Sequence, residues 1–532
     1  MFLSKKSFSI GLLFSVILII YTGEIYAQNG FRVYPYLQSP SPTAMTIIWF
    51  SEANISGNVS YKEKGFRRKK VLQSQPTLAE ALKYSTWEDT TFFNGNAPSL
   101  PYRHRIRLDG LKPETSYRYT VIQGEHKFSS TFQTAPEDDV PVRFIVYADS
   151  ETEPESTGKH AIWSDPKHST PRKYLIDQTQ GYANNLEVIL SRKPDLILIA
   201  GDLVQHGGEQ RDWDEFWLHN TKRNSKLSLA SQIPVLAAMG NHEYFEGTTL
   251  DRYNQPGSEK AASKYLSYFE APSNLSANRN QDGRYYSLKY GPATLIVVDL
   301  CNNSPSKSED DTNYFLLGEN DRGGGNAPDF GPHSRQYRWL EVALLKAQRS
   351  SLFTFVVFHH APYSSGPHGL PSGVDKSFDK QSGRATRMLT PLFMRYGVDA
   401  VLNGHDEMWE RSVLSGLEET TDGRELEHSI QFYDVGVGGD GLRAPIEGFE
   451  NPYQQFLVHN DVPEEWEAGV LIDGGKHYGH LEIDIEPQGD GTWQAILKPV
   501  YVFPIMEPDG KTYSGFDRRM YDDQITLVRS TP

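Results

Sequence analysis

The chain has 532 residues, of which 38% are hydrophobic, 23% charged and 12% aromatic. That length holds two or three domains, and that composition excludes a disordered or fibrous chain. A formal net charge of -15 argues against a polyanionic partner, so no nucleic acid is expected.

Residues 1–27 read as a secretory signal. Lys5 and Lys6 supply the positive start, Ile10 to Ile20 an apolar core too short to span a bilayer comfortably, and Ala27 a small residue at the cleavage point. The alternative is an uncleaved anchor. No later stretch is long and apolar enough to span, so a periplasmic or secreted protein without a membrane span is expected after signal removal. Cys301 is the one cysteine, which excludes an internal disulfide and suits a bacterial exported protein better than an animal ectodomain.

From Phe31 to Ala135 the pattern is all-β. Thr43 to Phe50, Tyr102 to Leu108, Ser116 to Gln123 and Lys127 to Gln133 alternate polar and apolar residues between turn signals, as in a small β-sandwich. Leu111 to Tyr119 looks like a fibronectin type III corner, in which a tyrosine hydroxyl anchors the turn. The basic run Arg67 to Lys70 reads as a solvated turn or a guard on an edge strand. Thr134 to Asp139 is a polar, proline-bearing linker.

Beyond it the periodicity changes. Strand-like apolar runs at Val142–Tyr147, Asp195–Ala200, Ile233–Met239, Leu352–Phe358 and Val398–Leu402 alternate with helical spacing at Gly181–Arg192, Gln336–Gln348 and Thr386–Tyr396. The runs are near-continuously apolar, as in strands covered on both faces. We read residues 141–505 as one α/β catalytic domain and leave 506–532, a polar tail, without an element. Two long polar segments, Glu151–Gln180 and Asn302–His333, follow strands and would shape a substrate site at the same rim.

Five of these runs end in residues that bear chemistry: Asp149; Gly201-Asp202; Gly240-Asn241-His242-Glu243; His359-His360; and Gly404-His405-Asp406-Glu407. Strand ends are where an open α/β sheet presents its site. Carboxylates, imidazoles and an amide on one rim suit two metal ions, with Asp202, just after a glycine, as the natural bridge.

In block order and spacing the chain resembles the purple-acid-phosphatase-like branch of the metallophosphoesterases. That family runs Asp, Gly-Asp-x-x-Tyr, Gly-Asn-His-Glu/Asp, Val-x-x-His and Gly-His-x-His behind a fibronectin-like domain. The resemblance implies an α/β/β/α metallophosphoesterase sandwich, a small phosphate-ester substrate, and hydrolysis of phosphate monoesters by a metal-bound hydroxide. It also implies two metal ions, from among Fe, Mn, Zn, Mg or Ca. Carried over by position, Asp202 would bridge the metals, and Asn241, His360 and His405 would complete the ligand set of the second metal. His360 is preferred to His359 because it stands three residues after Val357 and two before Pro362. His242 and His368 would act on the substrate.

The departures fall on the first metal. Gln205 stands where the family has the tyrosine that gives purple proteins their colour, and Glu407 where it has the last histidine. The first site would hold Asp149, Asp202 and Glu407, with Glu151 or Gln205 open as a further ligand. Three other readings remain: a phosphodiesterase on the same centre, a binding protein whose first site has weakened, and a carbohydrate- or surface-binding role for the β-sandwich.

Overall fold

The computed structural model describes residues 30–164, 169–247, 257–275, 281–301, 327–370, 382–489 and 491–530. The secretory signal read over residues 1–27 and most of the segment after Asn302 lie outside them.

Residues 31–135 form a β-sandwich of two four-stranded sheets. One holds Phe31–Ser41, Ala44–Ser51, Tyr102–Asp109 and Thr77–Leu78; the other holds Lys70–Gln73, Asn58–Glu63, Ser116–Gln123 and His126–Gln133. Alternate residues such as Ile47, Trp49, Tyr119 and Val121 fill the space between them. The Tyr117 hydroxyl accepts the Lys112 backbone N–H at 3.0 Å, so a tyrosine does anchor that corner. Arg67 to Lys69 are exposed, and Lys70 opens an edge strand.

The rest of the chain packs two seven-stranded sheets face to face. In the first, Leu196–Ile199 lies between Val235–Ala237 and Val142–Tyr147, parallel to both. Gly479–Pro487, Thr492–Met506, Tyr513–Met520 and Ile525–Ser530 extend it antiparallel. In the second, Ala293–Val297, Phe353–His360, Ala400–Gly404 and Glu425–Val435 run parallel, bordered by Tyr286–Tyr290 on one side and by Trp409–Glu419 and Gln454–Leu457 on the other.

Side-chain alternation separates the layers. Phe144, Val146, Phe355 and Val357 point between the sheets. Ile145 and Tyr147 turn outward to the helices Gln178–Arg192 and Gln210–Asn220. Val356 and Phe358 turn to Arg335–Ser350 and Thr390–Arg395. This is the helix–sheet–sheet–helix order expected for the catalytic part. The tail after 506, which the sequence reading leaves blank, supplies two strands of the first sheet. It is tied to the second by Arg411, whose guanidinium pairs with both oxygens of Asp523 at 2.5 and 2.8 Å. Among the described residues no helix is long and apolar enough to cross a membrane.

Candidate metal centre

The parallel strands of both sheets end at one seam, and each delivers its polar residues there. Left-handed backbone does the turning: φ is +57° at Asp149, +52° at Asp202, +83° at His405 and +48° at Glu407. Four non-glycine residues in that region are costly, and a cluster of them is typical of a functional site. The glycines of two motifs are needed for close approach. A Cβ on Gly240 would collide with Asp202 Oδ1, and one on Gly404 with Asp149 Oδ2.

Hydrogen bonds pin the segments to one another. Asp149 accepts the His405 N–H with both carboxylate oxygens, at 3.0 and 3.1 Å. Asp202 Oδ1 accepts the His242 N–H at 2.9 Å. Glu243 is the clamp: its carboxylate accepts the backbone N–H groups of Gly240 (2.7 Å), Leu203 (2.8 Å) and Asp202 (3.0 Å). Asp406 Oδ1 accepts the His368 N–H at 2.9 Å and so ties that loop to the Gly404 turn.

Asp149, Glu151, Asp202, Asn241, His360, His405 and Glu407 are buried, and Gln205 is partly buried. Asp202, His359 and His405 each bring a ligand atom within 4.8 Å of the others, and so do Glu151, Asp202 and His242. Asp202 belongs to both groups. His359 Nε2 lies 2.8 Å from Asp202 Oδ2 and 3.1 Å from His405 Nδ1, while its Nδ1 meets the Ala200 carbonyl at 3.0 Å. His360 differs: its ring centre is 4.2 Å from that of His405, yet both its nitrogens are buried without a hydrogen-bond partner. Asn241 Oδ1 and Gln205 Oε1 are also buried and unpartnered.

His242 has its Nδ1 at 2.8 Å from the Gln205 carbonyl and its Nε2 at 3.7 and 3.8 Å from Glu151 and Asp202. His368 is not a histidine loose in water. Its ring centre is 3.8 Å from that of His405, the planes tilted by 31°, and it lies 3.1 Å from Arg443 Nη1.

The electrostatics are those of a nest of like charges. Burial, then the surrounding carboxylates, push Asp149 and Glu151 well above the ordinary range. Glu407 is pushed up to about 7 by burial, against the pull of Arg443. For Asp202 burial acts upward too, but the His359 and His242 rings outweigh it and hold it low. Burial, with His359 beside it, takes His360 down to about 3, so that ring is neutral. Crowded carboxylates and neutral, unpartnered imidazole and amide donors around Asp202 fit a pair of cations.

Two contributors were not found in the sequence. Asp440, in the glycine-rich turn Gly438 to Gly441, has its charge beside Glu151. Arg443 pairs with Glu407 and meets His368. Neither sits at the end of a predicted strand, so position gave no signal.

Comparison with known proteins fits this geometry. Residues 142–406 match the calcineurin-like phosphoesterase family and residues 31–135 the purple acid phosphatase N-terminal domain. An uncharacterized Mycobacterium tuberculosis protein is 28% identical over 437 residues, which is 75% of this chain and 72% of that one. Purple acid phosphatase 21 of Arabidopsis thaliana is 25% identical, over 68% of this chain and 61% of that one. An acid phosphatase of Aspergillus ficuum is 22% identical, over 74% and 73%. The fold is shared with a purple acid phosphatase from yellow lupin seeds (TM-score 0.57, 16% identity, 91% of this chain and 74% of that one) and with PhoD (TM-score 0.56, 15% identity, 94% and 91%). The two sheets, the strand-end blocks and these matches together make the chain a member of the calcineurin-like metallophosphoesterases, in their purple-acid-phosphatase-like branch.

Proposed function

We propose that this phosphatase is exported and hydrolyses phosphate monoesters at a two-metal centre. The observation that carries the reading is the gathering of buried carboxylates and imidazoles around Asp202, with the His360 nitrogens and Asn241 Oδ1 beside them buried and unpartnered. Asp149, Asp202 and Glu407 would hold the first ion, with Glu151 or Gln205 beside them. Asp202, Asn241, His360 and His405 would hold the second. His360 is preferred over its neighbour because both its nitrogens lack a partner, whereas His359 spends its own on Ala200 and on Asp202 and His405. An oxygen-rich first position favours magnesium, manganese, calcium or iron over zinc. When bound, the ions supply positive charge for the phosphoryl oxygens and an acidified water as nucleophile.

The chain's own residues do the rest. His242, whose Nδ1 is held by the Gln205 carbonyl, keeps its Nε2 at the carboxylates. There it can give a proton to the leaving alcohol as the bond from phosphorus to that oxygen breaks and the water oxygen bonds to phosphorus. His368 lines the same space, held by Asp406 and Arg443.

The test is metal content together with turnover of an aryl phosphate and of a bis-aryl phosphodiester, with and without chelator. Turnover of the monoester that chelator abolishes is expected. Metal-replete protein that cleaves only the diester would make it a phosphodiesterase. Metal-replete protein that cleaves neither would leave a binding protein. Export is tested by locating the processed chain outside the cytoplasm.

A further inference from the structure

A groove of about 1410 Å³ begins where the metal centre ends. Ser365 and Pro367, from the His368 loop, form part of its wall, and so does Arg443. Arg443 therefore belongs to both places: it bonds inward to Glu407 and His368, yet its side chain is 42% exposed. Phe449, Trp163, His459 and Trp466 line the same groove. Most of the remaining lining comes from Ile162 to Ser164 with Arg172 and from the stretch Arg443 to Trp466, which an ion pair between Arg172 and Glu464 ties together. Trp163 packs edge-on against His459 at 6.2 Å, and its indole N–H is buried without a partner in the protein. Trp466 stands 51% exposed and Ile162 63% exposed.

Such a space is too large for a small acyclic alcohol, since pockets for drug-sized molecules measure roughly 300–1,000 Å³. Aromatic faces attract flat rings, and a buried indole N–H calls for an acceptor oxygen or nitrogen. Arginine is the side chain suited to grip phosphate oxygens through parallel N–H groups.

Resting on the phosphomonoesterase reading above, we propose that this groove is the leaving-group subsite. It takes a large, ring-bearing alcohol, and Arg443 at its inner end binds a phosphate oxygen. The preferred substrates are then phosphate monoesters of nucleoside-like or other ring-bearing alcohols, ahead of glycerol phosphate.

The experiment compares full-length, metal-replete wild type with Trp466→Ala, Phe449→Ala and Arg443→Gln. The substrates are a nucleoside 5'-monophosphate and glycerol 2-phosphate, and inorganic phosphate is the competitive inhibitor. Wild type should favour the nucleotide by about ten-fold or more in kcat/KM, the discrimination a fitted pocket supplies. Each aromatic variant should lose ~3- to 10-fold on the nucleotide, through KM, with glycerol phosphate unchanged, as one lost ring contact implies. Arg443→Gln should weaken phosphate inhibition by about ten-fold or more, the worth of a charge-assisted bond. The two aromatic variants should leave that inhibition and the metal content as they were.

Equal turnover of both substrates by wild type, or aromatic variants that lose equally on both, would overturn the leaving-group assignment while leaving the phosphatase reading intact. Unchanged phosphate inhibition in Arg443→Gln would remove Arg443 from the phosphate. If wild type turned over neither ester, the phosphatase reading itself would fall, and the groove assignment with it. Because Trp466 is exposed, its replacement leaves the fold in place.

Discussion

Replacing Glu243 with alanine takes the shared acceptor from three buried backbone N–H groups, those of Gly240, Leu203 and Asp202. No other acceptor reaches into that space through the hydrogen bonds described. Each such bond contributes ~1–1.5 kcal/mol net of desolvation, so losing all three should cost about 3–5 kcal/mol. Glu243→Gln keeps one oxygen but turns an NH₂ toward a backbone donor, and should lose about 1–3 kcal/mol. The damage is also local, because the clamp holds the Asp202 turn against the Asn241 turn. Urea unfolding followed by tryptophan fluorescence, with metal content measured on the same samples, reads both effects. An alanine variant that unfolds at the wild-type midpoint and keeps its full metal complement would refute the reasoning. It would mean that the two turns hold their places without the carboxylate.

Three further outcomes are expected. Chelator should lower the thermal midpoint, since an ion present at a hundred times its dissociation constant adds about 2.7 kcal/mol of stability per site; an unchanged midpoint in metal-stripped protein would count against a resident pair. Gln205→Tyr, loaded with ferric iron, should gain a visible absorption band that the parent lacks, because Gln205 Oε1 is buried and unpartnered at the position of the family's tyrosine; a colourless, iron-replete variant would put residue 205 outside the first metal's reach. Asp523→Ala should destabilise the protein by about 3–5 kcal/mol, the cost of leaving the buried Arg411 guanidinium without its carboxylate; a wild-type denaturation midpoint would show that the tail's strands hold without it.

The catalytic rim was legible because each of its strands is short, apolar and followed at once by a glycine or a polar cluster, so period and punctuation agree. Where they disagreed the pattern went silent. Trp409–Glu419 and Glu425–Val435 form a long antiparallel pair, but their outer halves are polar and exposed, and the buried Glu410 and Arg411 interrupt the apolar signal of the inner half. Tyr513–Met520 and Ile525–Ser530 are partly exposed outer strands; the first carries Asp517, Arg518 and Arg519 in a row, and the second is short and half polar. The neighbours His359 and His360 are separated in the sequence by their spacing from Val357 and Pro362, and geometry adds that His359 is engaged at both nitrogens and His360 at neither. Asp440 and Arg443 lie in an irregular loop, and only the fold brings them to the centre.

The bond between the Asp149 carboxylate and the His405 N–H joins positions 256 residues apart. The strand beside Asp149's own, Gly479–Pro487, comes later still. A ribosome-bound or half-translocated chain therefore owns every early donor and no competent cage. If the protein leaves the cytoplasm unfolded, as a cleavable leader would have it, the ions it captures are those of the compartment where its last strands dock. Which metal fills it is then decided by geography before affinity.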